Sequence, residues 1–408
     1  MTQPAVRRDR FTWLAYGQLS TFAYFLYGFG PVVPLLLREQ HTSRGVAGLH
    51  GTAIAVGSVV CGLLAPWAVR RFGRQVTVWV GLAGMGTGTL GLGLAHPLWA
   101  TLSLTALAAV CGTFVVTIVM AALSDQHGAA GPTVLAEANS VAAGVGLLAP
   151  LVIGGTVTAG LGWRPGLAVT APLVAVLAGI AALRRIRVPA ARPIPATTTA
   201  GRLPRSYRWA FTTLFCTASV EVCLTLWVAD VLRSHSHAPE GVATAALSVI
   251  VGGMCIGRLV GSRLLLRWSA PGVLLGALAV SATGFAVFWL APVPGVAVTG
   301  LILLGLGNAM HFPLGIALVV AHSGGQPDLA VSRSSYAAAL AFGVSPLVLG
   351  LIADGVGPHT AFLLVPLFLA GAAATVTARL RRPVPAVPPV PALATGAAAT
   401  PDPTPACP

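Results

Sequence analysis

What most constrains this chain is the length of its uncharged apolar runs. "TLSLTALAAVCGTFVVTIVMAAL" (101–123) is 23 residues without a charge. A helix rises 1.5 Å per residue, so about 20 such residues cross the ~30 Å hydrocarbon layer of a bilayer. Twelve runs of this kind occur, at 12–36, 46–69, 75–95, 98–123, 133–160, 165–183, 209–231, 243–266, 271–291, 295–320, 329–354 and 359–378. Backbone polar groups in lipid must be satisfied within the segment, and these runs have helical length. The predicted fold class is therefore an all-α membrane protein with twelve transmembrane helices.

Composition agrees: 56% of the 408 residues are hydrophobic and 8% are charged, against roughly 25% charged in soluble domains. The net charge of +14 comes from 24 basic residues, all of them arginine. A basic chain raises the question of nucleic acid. Here the arginines gather at the ends of apolar runs, which is the positive-inside pattern, and no nucleic-acid partner is expected. With a cytoplasmic N-terminus, 19 arginines fall on the cytoplasmic side, four outside (Arg38, Arg44, Arg164, Arg233) and Arg258 within a run. N-in/C-in is the predicted topology.

The organisation follows. Residues 1–11 form a cytoplasmic N-terminus, 12–183 a first six-helix half, and 209–380 a second. Between them, 184–208 is a linker with seven arginines and no acid. The Pro/Ala-rich segment 381–408 cannot bury a core and is expected to be disordered. Sliding the chain by 196 residues lays "AAGVGLLAPLVIGG" (142–155) on "AALAFGVSPLVLGL" (338–351), Arg71 on Arg267 and Gly57 on Gly253. One shift matching two regions marks the halves as repeats, the architecture that places a transporter's site at mid-membrane.

Several other patterns carry no chemistry. "GTGTLG" (86–91) lies inside an apolar run with no strand before it, so it is no dinucleotide fingerprint. His235, His237 and Glu240 share an external loop and offer a weak metal option. The cysteines lack paired spacing and read as packing residues. No nucleophile elbow, HExxH or Walker loop occurs, so neither catalysis nor a cofactor is expected. The N-terminal apolar run lacks a cleavage site and reads as the first membrane helix.

The ionisable residues inside the runs are the functional candidates. Glu221 sits midway along 209–231, where a charge costs at least ~2.5–3.5 kcal/mol. A carboxyl there that gains and loses a proton as water reaches it is what proton coupling needs; a permanent ion pair is the structural alternative. Arg258 is its natural partner, with snorkelling to the cytoplasm as the alternative. Glu137 and Arg333 are related by the 196-residue shift, at cytoplasmic helix ends. Glu137 is a second proton-coupling candidate. Asn308, His311, Gln18, Tyr24, Asn139 and Trp227, with Tyr27 and His50 as weaker members, are substrate-cavity candidates, packing being the alternative for each. Asp230 and Asp354, at outer helix ends, are expected to stay solvated.

The chain resembles the major facilitator superfamily over residues 10–380. "GLLAPWAVRRFGRQ" (62–75) is similar to the family's loop motif: Arg71, Gly73 and Arg74 match, while Pro66 and Arg70 replace a glycine and the aspartate. "GLLAPLVIGG" followed by "GWRPG" resembles a motif of proton-driven exporters, with Pro150, Gly154 and Gly155, and by the repeat Pro346 and Gly350, as its helix-packing residues. "GLGNAMHFPLG" (305–315) and "GLIADGVG" (350–357) also look like this family. The resemblance implies alternating access around a central cavity, with the fifth helix beside the eighth and the eleventh beside the second. Glu137 would then close a cytoplasmic gate with Arg258 or Arg263. Arg333 would face Arg70 and Arg71, giving repulsion or a lipid or anion contact, and Arg71 and Arg74 would belong to the same gate. The function this implies is secondary active transport, proton-coupled efflux of a small apolar or amphipathic molecule. Uptake of a sugar, organic acid or other nutrient is the alternative. The expected partners are substrate, protons and lipid, for a monomer in the plasma or inner membrane.

Overall fold

The structure, a computed structural model, describes residues 8–190 and 202–380. The predicted disordered segment 381–408, the first seven residues and part of the basic linker lie outside the described residues. The helices are α1 (Arg10–Glu39), α2 (Arg44–Leu94), α3 (Leu98–His127), α4 (Gly131–Thr158), α5 (Arg164–Ala168), α6 (Thr170–Leu183), α7 (Arg205–His235), α8 (Glu240–Leu264), α9 (Ala270–Leu290), α10 (Pro294–Asn308), α11 (His311–Ala321), α12 (Pro327–Val356), α13 (Pro358–Ala361) and α14 (Leu364–Thr375). Among the described residues there is no strand.

Local chemistry sets the helix starts. Asp9 caps α1 by accepting from the Thr12 amide at 2.8 Å, and Ser43 caps α2 through Val46. α9 and α10 begin with proline in the first turn, where its missing N–H costs nothing.

Eleven helical segments among the described residues are long and apolar enough to cross a membrane. The predicted runs 46–69 and 75–95 both fall within α2, which is 51 residues long. Gly73, at φ 78° and ψ 163°, breaks that helix. A straight helix of this length would measure ~76 Å. Yet Gln40, just before it, donates 3.0 Å bonds to the His96 carbonyl and the Thr101 hydroxyl, just after it. The chain reverses at Gly73, and α2 is two antiparallel limbs.

The 196-residue repeat reappears in the helix starts. Arg44, Leu98 and Gly131 open α2, α3 and α4; Glu240, Pro294 and Pro327 open α8, α10 and α12, each 196 positions on. α1 and α7 are the interior helices, with 83% and 89% of their apolar windows buried. They cross where Gly30 meets Thr225, so closely that a Cβ on Gly30 would lie 2.5 Å from the Thr225 carbonyl oxygen. Around this axis α2 packs on α12 and α4 on α8.

One end of the bundle carries residues 8–10 and both sides of the linker. The other, the far end, carries Glu39, Arg44, Arg164, His235 and Glu240. The hydrogen bonds and ion pairs joining the first half of the chain to the second, among the described residues, run from the far end to mid-depth. Toward the linker, Gly62 of α2 and Gly144 of α4 have open space where a Cβ would stand. Val331, Tyr336 and Leu340 of α12 are exposed. The described bonds between the halves thus gather toward the far end.

Candidate functional site

Glu221 is 16 residues from the start of α7 and 14 from its end, so ~24 and ~21 Å from the two ends. Its side chain is partly exposed, in a helix whose neighbouring positions are buried. One turn toward the far end is Thr225, where α7 meets α1. Glu221 therefore sits one turn on the linker side of the α1–α7 contact. Across it the Tyr27 hydroxyl donates a long 3.5 Å hydrogen bond to Glu221 Oε1. Arg258 of α8 is close enough to act electrostatically on both groups, and Cys255 acts on Tyr27. Among the described residues Glu221 and Arg258 form no direct ion pair. A phenol and a carboxyl from α1 and α7 thus meet at mid-depth.

The other predicted cavity residues are placed differently. Tyr24 is buried and donates to the Gly166 carbonyl at 2.8 Å, inside the first half. Trp227 is buried with its indole N–H on the Pro346 carbonyl at 3.0 Å. His311 packs against Ser281 at 3.2 Å and Asn308 against Met254 at 3.6 Å, both within the second half. Tyr24 and Trp227 place their polar atoms on partners inside one half, while Asn308 Oδ1 and His311 Nδ1 are buried without one. His50 likewise bonds Ala47 and Thr101. Asn139 is exposed and bonds back to Leu135. Gln18 differs from the rest: it is fully buried and neither amide atom has a partner.

Glu137 does not reach Arg258 or Arg263. It takes a two-pronged bond from Arg8 at 2.9 and 2.7 Å and one from Tyr16 at 3.0 Å, all in the first half. That hydrogen bond and charge hold the Arg8 guanidinium pKa above its ordinary value. Burial pushes the neighbouring Asp9 carboxyl up, but bonds from Thr12 and Gln126 outweigh it and leave its pKa below the usual range. Arg74 is buried on Asp125 of the same half at 2.7 Å and on the Ala190 carbonyl of the linker. Arg71 lies over the ring of Phe72. Arg333 shares a recess with Arg202, Arg205 and Arg208 rather than with Arg70 or Arg71. Among the described residues the loop-motif arginines Arg71 and Arg74 therefore find local partners and do not bridge the halves.

The bridging charges are at the far end, and sequence reasoning missed them. Asp230, expected to be solvated, is 1% exposed and holds Arg44 at 2.8 Å and Arg233 at 2.9 Å. Asp354 accepts the Arg44 and Gly45 amides at 2.7 and 2.8 Å, occupying the N-terminus of α2. Arg38 pairs with Glu240 at 3.2 Å. In each link the first half supplies the cation or helix dipole and the second half the acid. The spacing of these residues held no signal, since their partners are 186 and 310 positions apart.

Of the helix-packing motif, Gly154 and Gly350 are at contacts: a Cβ would stand 2.6 Å from the Gly241 oxygen and 2.5 Å from the Arg44 oxygen. Gly155 faces open space and packs nothing. Pro150 and Pro346 lie inside α4 and α12. Among the described residues no cluster suits a metal; His235 stacks on His359 instead, and His359 on Trp289.

A bundle of long apolar helices with a carboxyl midway along an interior helix defines a multi-pass membrane protein. The sequence profile of the Major Facilitator Superfamily matches residues 18–326, and the chain belongs to that family. No curated protein sequence matches it. Among solved structures it is similar to a bacterial homologue of the human lysosomal transporter Spinster, inward-facing and occupied. There the TM-score is 0.74 at 14% identity, covering 92% of this chain and 98% of that one. It is also similar to a nucleoside transporter (TM-score 0.73, 12% identity, 90% and 98% covered) and a D-xylose-proton symporter (0.72, 13%, 90% and 95%).

Proposed function

We propose that the chain is a proton-coupled exporter of a small apolar or amphipathic molecule, working by alternating access as a monomer in the cell membrane. Counting both limbs of α2 gives twelve crossings in two repeated halves, and the arginine distribution sets both termini in the cytoplasm. The observation that carries the reading is the placement of Glu221, at mid-depth on an interior helix where the halves meet. A half-buried carboxyl at mid-depth, bonded by a phenol, has two states whose cost depends on water access, and access is what the rocking of two halves changes.

In this reading the structure is the cytoplasm-open state, and substrate enters from the linker end. Opening the far end parts Asp230 and Asp354 from Arg44, releases substrate, and lets a proton from outside reach the Glu221 carboxylate. That proton leaves to the cytoplasm after the return, driven by ~2.3 kcal/mol per 100 mV plus the pH gradient.

The test is Glu221→Gln in oriented proteoliposomes, with a panel of amphipathic compounds. Flux driven by a pH gradient should fall more than tenfold while substrate exchange persists. Undiminished pH-driven flux would move coupling away from this residue. The likeness to a D-xylose-proton symporter favours the second reading, uptake of a sugar or other nutrient. The same vesicles separate the two, since export needs a pH gradient opposing substrate flow and uptake an aligned one.

A further inference from the structure

No step of the proposed cycle uses the groove between α1 and α6 at the linker end. Arg10, Trp13, Leu14 and Gly17 follow at helical spacing along one face of α1. Leu177, Ile180 and Arg184, the residue that ends α6, follow along a face of that helix. The two faces touch at Gly17, where a Cβ would lie 2.6 Å from a Leu177 methyl. Arg10 stands seven residues from Gly17, and Arg184 seven from Leu177. Both arginines thus start about 10 Å nearer the linker end than that contact. Between contact and helix ends lies a recess of about 410 Å³, walled by Leu14, Leu177, Ile180 and Ile186 and lined by both arginines. That volume is in the range of small-molecule sites.

The recess is positive. Among the described residues neither Arg10 nor Arg184 is in an ion pair. The acids at this end of the half are engaged elsewhere: Asp9 caps α1 and accepts from Gln126, Glu137 holds Arg8, and Asp125 holds Arg74. The adjoining chain brings no acid either, since residues 1–8 and 184–208 contain no Asp or Glu. Guanidinium forks match phosphate oxygens in pairs. The walls point to the source of that phosphate. Ile180 and Leu183 are exposed apolar side chains on α6, and Trp13 is 59% exposed, its ring edge-on to Tyr16 at 5.6 Å. In a membrane chain such a surface faces lipid, and tryptophan near a helix end marks the interface where headgroups lie. A free anion would use the two arginines and leave the apolar walls bare; a phospholipid would use both.

We propose that this recess binds an anionic phospholipid from the adjoining leaflet, its phosphodiester on Arg10 and Arg184 and the start of its acyl chains against Leu14, Leu177 and Ile180. Basic recesses between membrane helices recognise such headgroups.

The test is photo-crosslinking of the full chain in detergent micelles by phosphatidylglycerol carrying a diazirine near the head of one acyl chain, with the adducts mapped by peptide mass spectrometry. Adducts should fall on the α1 and α6 faces that line the recess. Unlabelled phosphatidylglycerol should compete at least tenfold better than phosphatidylcholine. Arg10→Gln/Arg184→Gln should reduce these adducts at least tenfold. Arg263→Gln/Arg267→Gln, removing two equally basic positions at the linker end of α8, should leave them unchanged. Adducts that persist in the recess variant, or that fall equally in the α8 control, would overturn the proposal, as would equal competition by phosphatidylcholine. Displacement by millimolar inorganic phosphate would overturn the lipid source and leave a free-anion site. If the recess variant fails to fold, the wild-type map and the two competitions decide.

Discussion

Thr52 and Ser248 stand 196 residues apart and make the same bond. The Thr52 hydroxyl donates to the Gly343 carbonyl and the Ser248 hydroxyl to the Leu147 carbonyl, each at 2.7 Å. The acceptors are themselves 196 apart, so each half reaches into the other at an equivalent point. A hydrogen bond of this kind contributes about 1 kcal/mol. Thr52→Ala with Ser248→Ala should weaken the far-end closure by about 2 kcal/mol, a shift of roughly thirtyfold. Spin-label distances across the far end would report it as a larger open population; an unchanged distribution would show that these bonds do not hold the closed state.

Gly154→Ala and Gly350→Ala should behave as a pair. The added methyl meets backbone oxygen at 2.6 and 2.5 Å, which cannot move aside without its helix. Overpacking of this sort costs about 1–3 kcal/mol, and each variant should lose thermal stability and transport. Gly155→Ala, one residue away in open space, should leave stability within a few tenths of a kcal/mol of wild type. A drop equal to that of Gly154→Ala would contradict the packing.

Two far-end acids should differ sharply. Asp230 is 1% exposed on two arginines, and breaking a buried pair costs about 3 kcal/mol or more. Glu240 and Arg38 are about 40% exposed, where a pair contributes about 0–1 kcal/mol. Asp230→Asn should release far-end cross-links between cysteines placed on α2 and α12. Glu240→Gln should not.

Acid should loosen the α1 start before the rest of the first half. The Asp9 pKa is lowered in the fold, so its contribution is complete above the unfolded value near pH 3.9. It is lost as pH falls through the lower folded value. Protection against hydrogen exchange at the first turn of α1, relative to an unstructured amide at the same pH, should therefore fall below about pH 4. In Asp9→Asn, which keeps an acceptor for the cap, that protection should be flat across the range.

The sequence carried the helices well because hydrophobic length and repeat spacing are local or periodic signals. The 196-residue shift found in "LAPLVIGG" and "VSPLVLGL" reappears as the common start of α4 and α12. The reversal at Gly73 was visible as a gap between two apolar runs, though the helix continues through it on either side. Glu221 stood out because a lone acid in an apolar run is costly wherever its helix sits. Partners were another matter. Glu137 was assigned to a gate and is held by Arg8, and Asp230 was assigned to solvent and is buried. Both errors concern which surfaces of distant helices face one another, which no single stretch records. His311 and Trp227 turn toward partners inside one half for a related reason: depth along a helix is readable in a sequence, but the direction of the side chain around it is not.

The polarity of the far-end links sets a rule for assembly. Arg38 and Arg44 belong to one repeat; Asp230, Glu240 and Asp354 belong to the other. Two copies of the first repeat would bring arginine against arginine, and two of the second would bring acid against acid. Severed in the linker and co-expressed as separate polypeptides, the pieces should form an obligate heterodimer and reject their own kind.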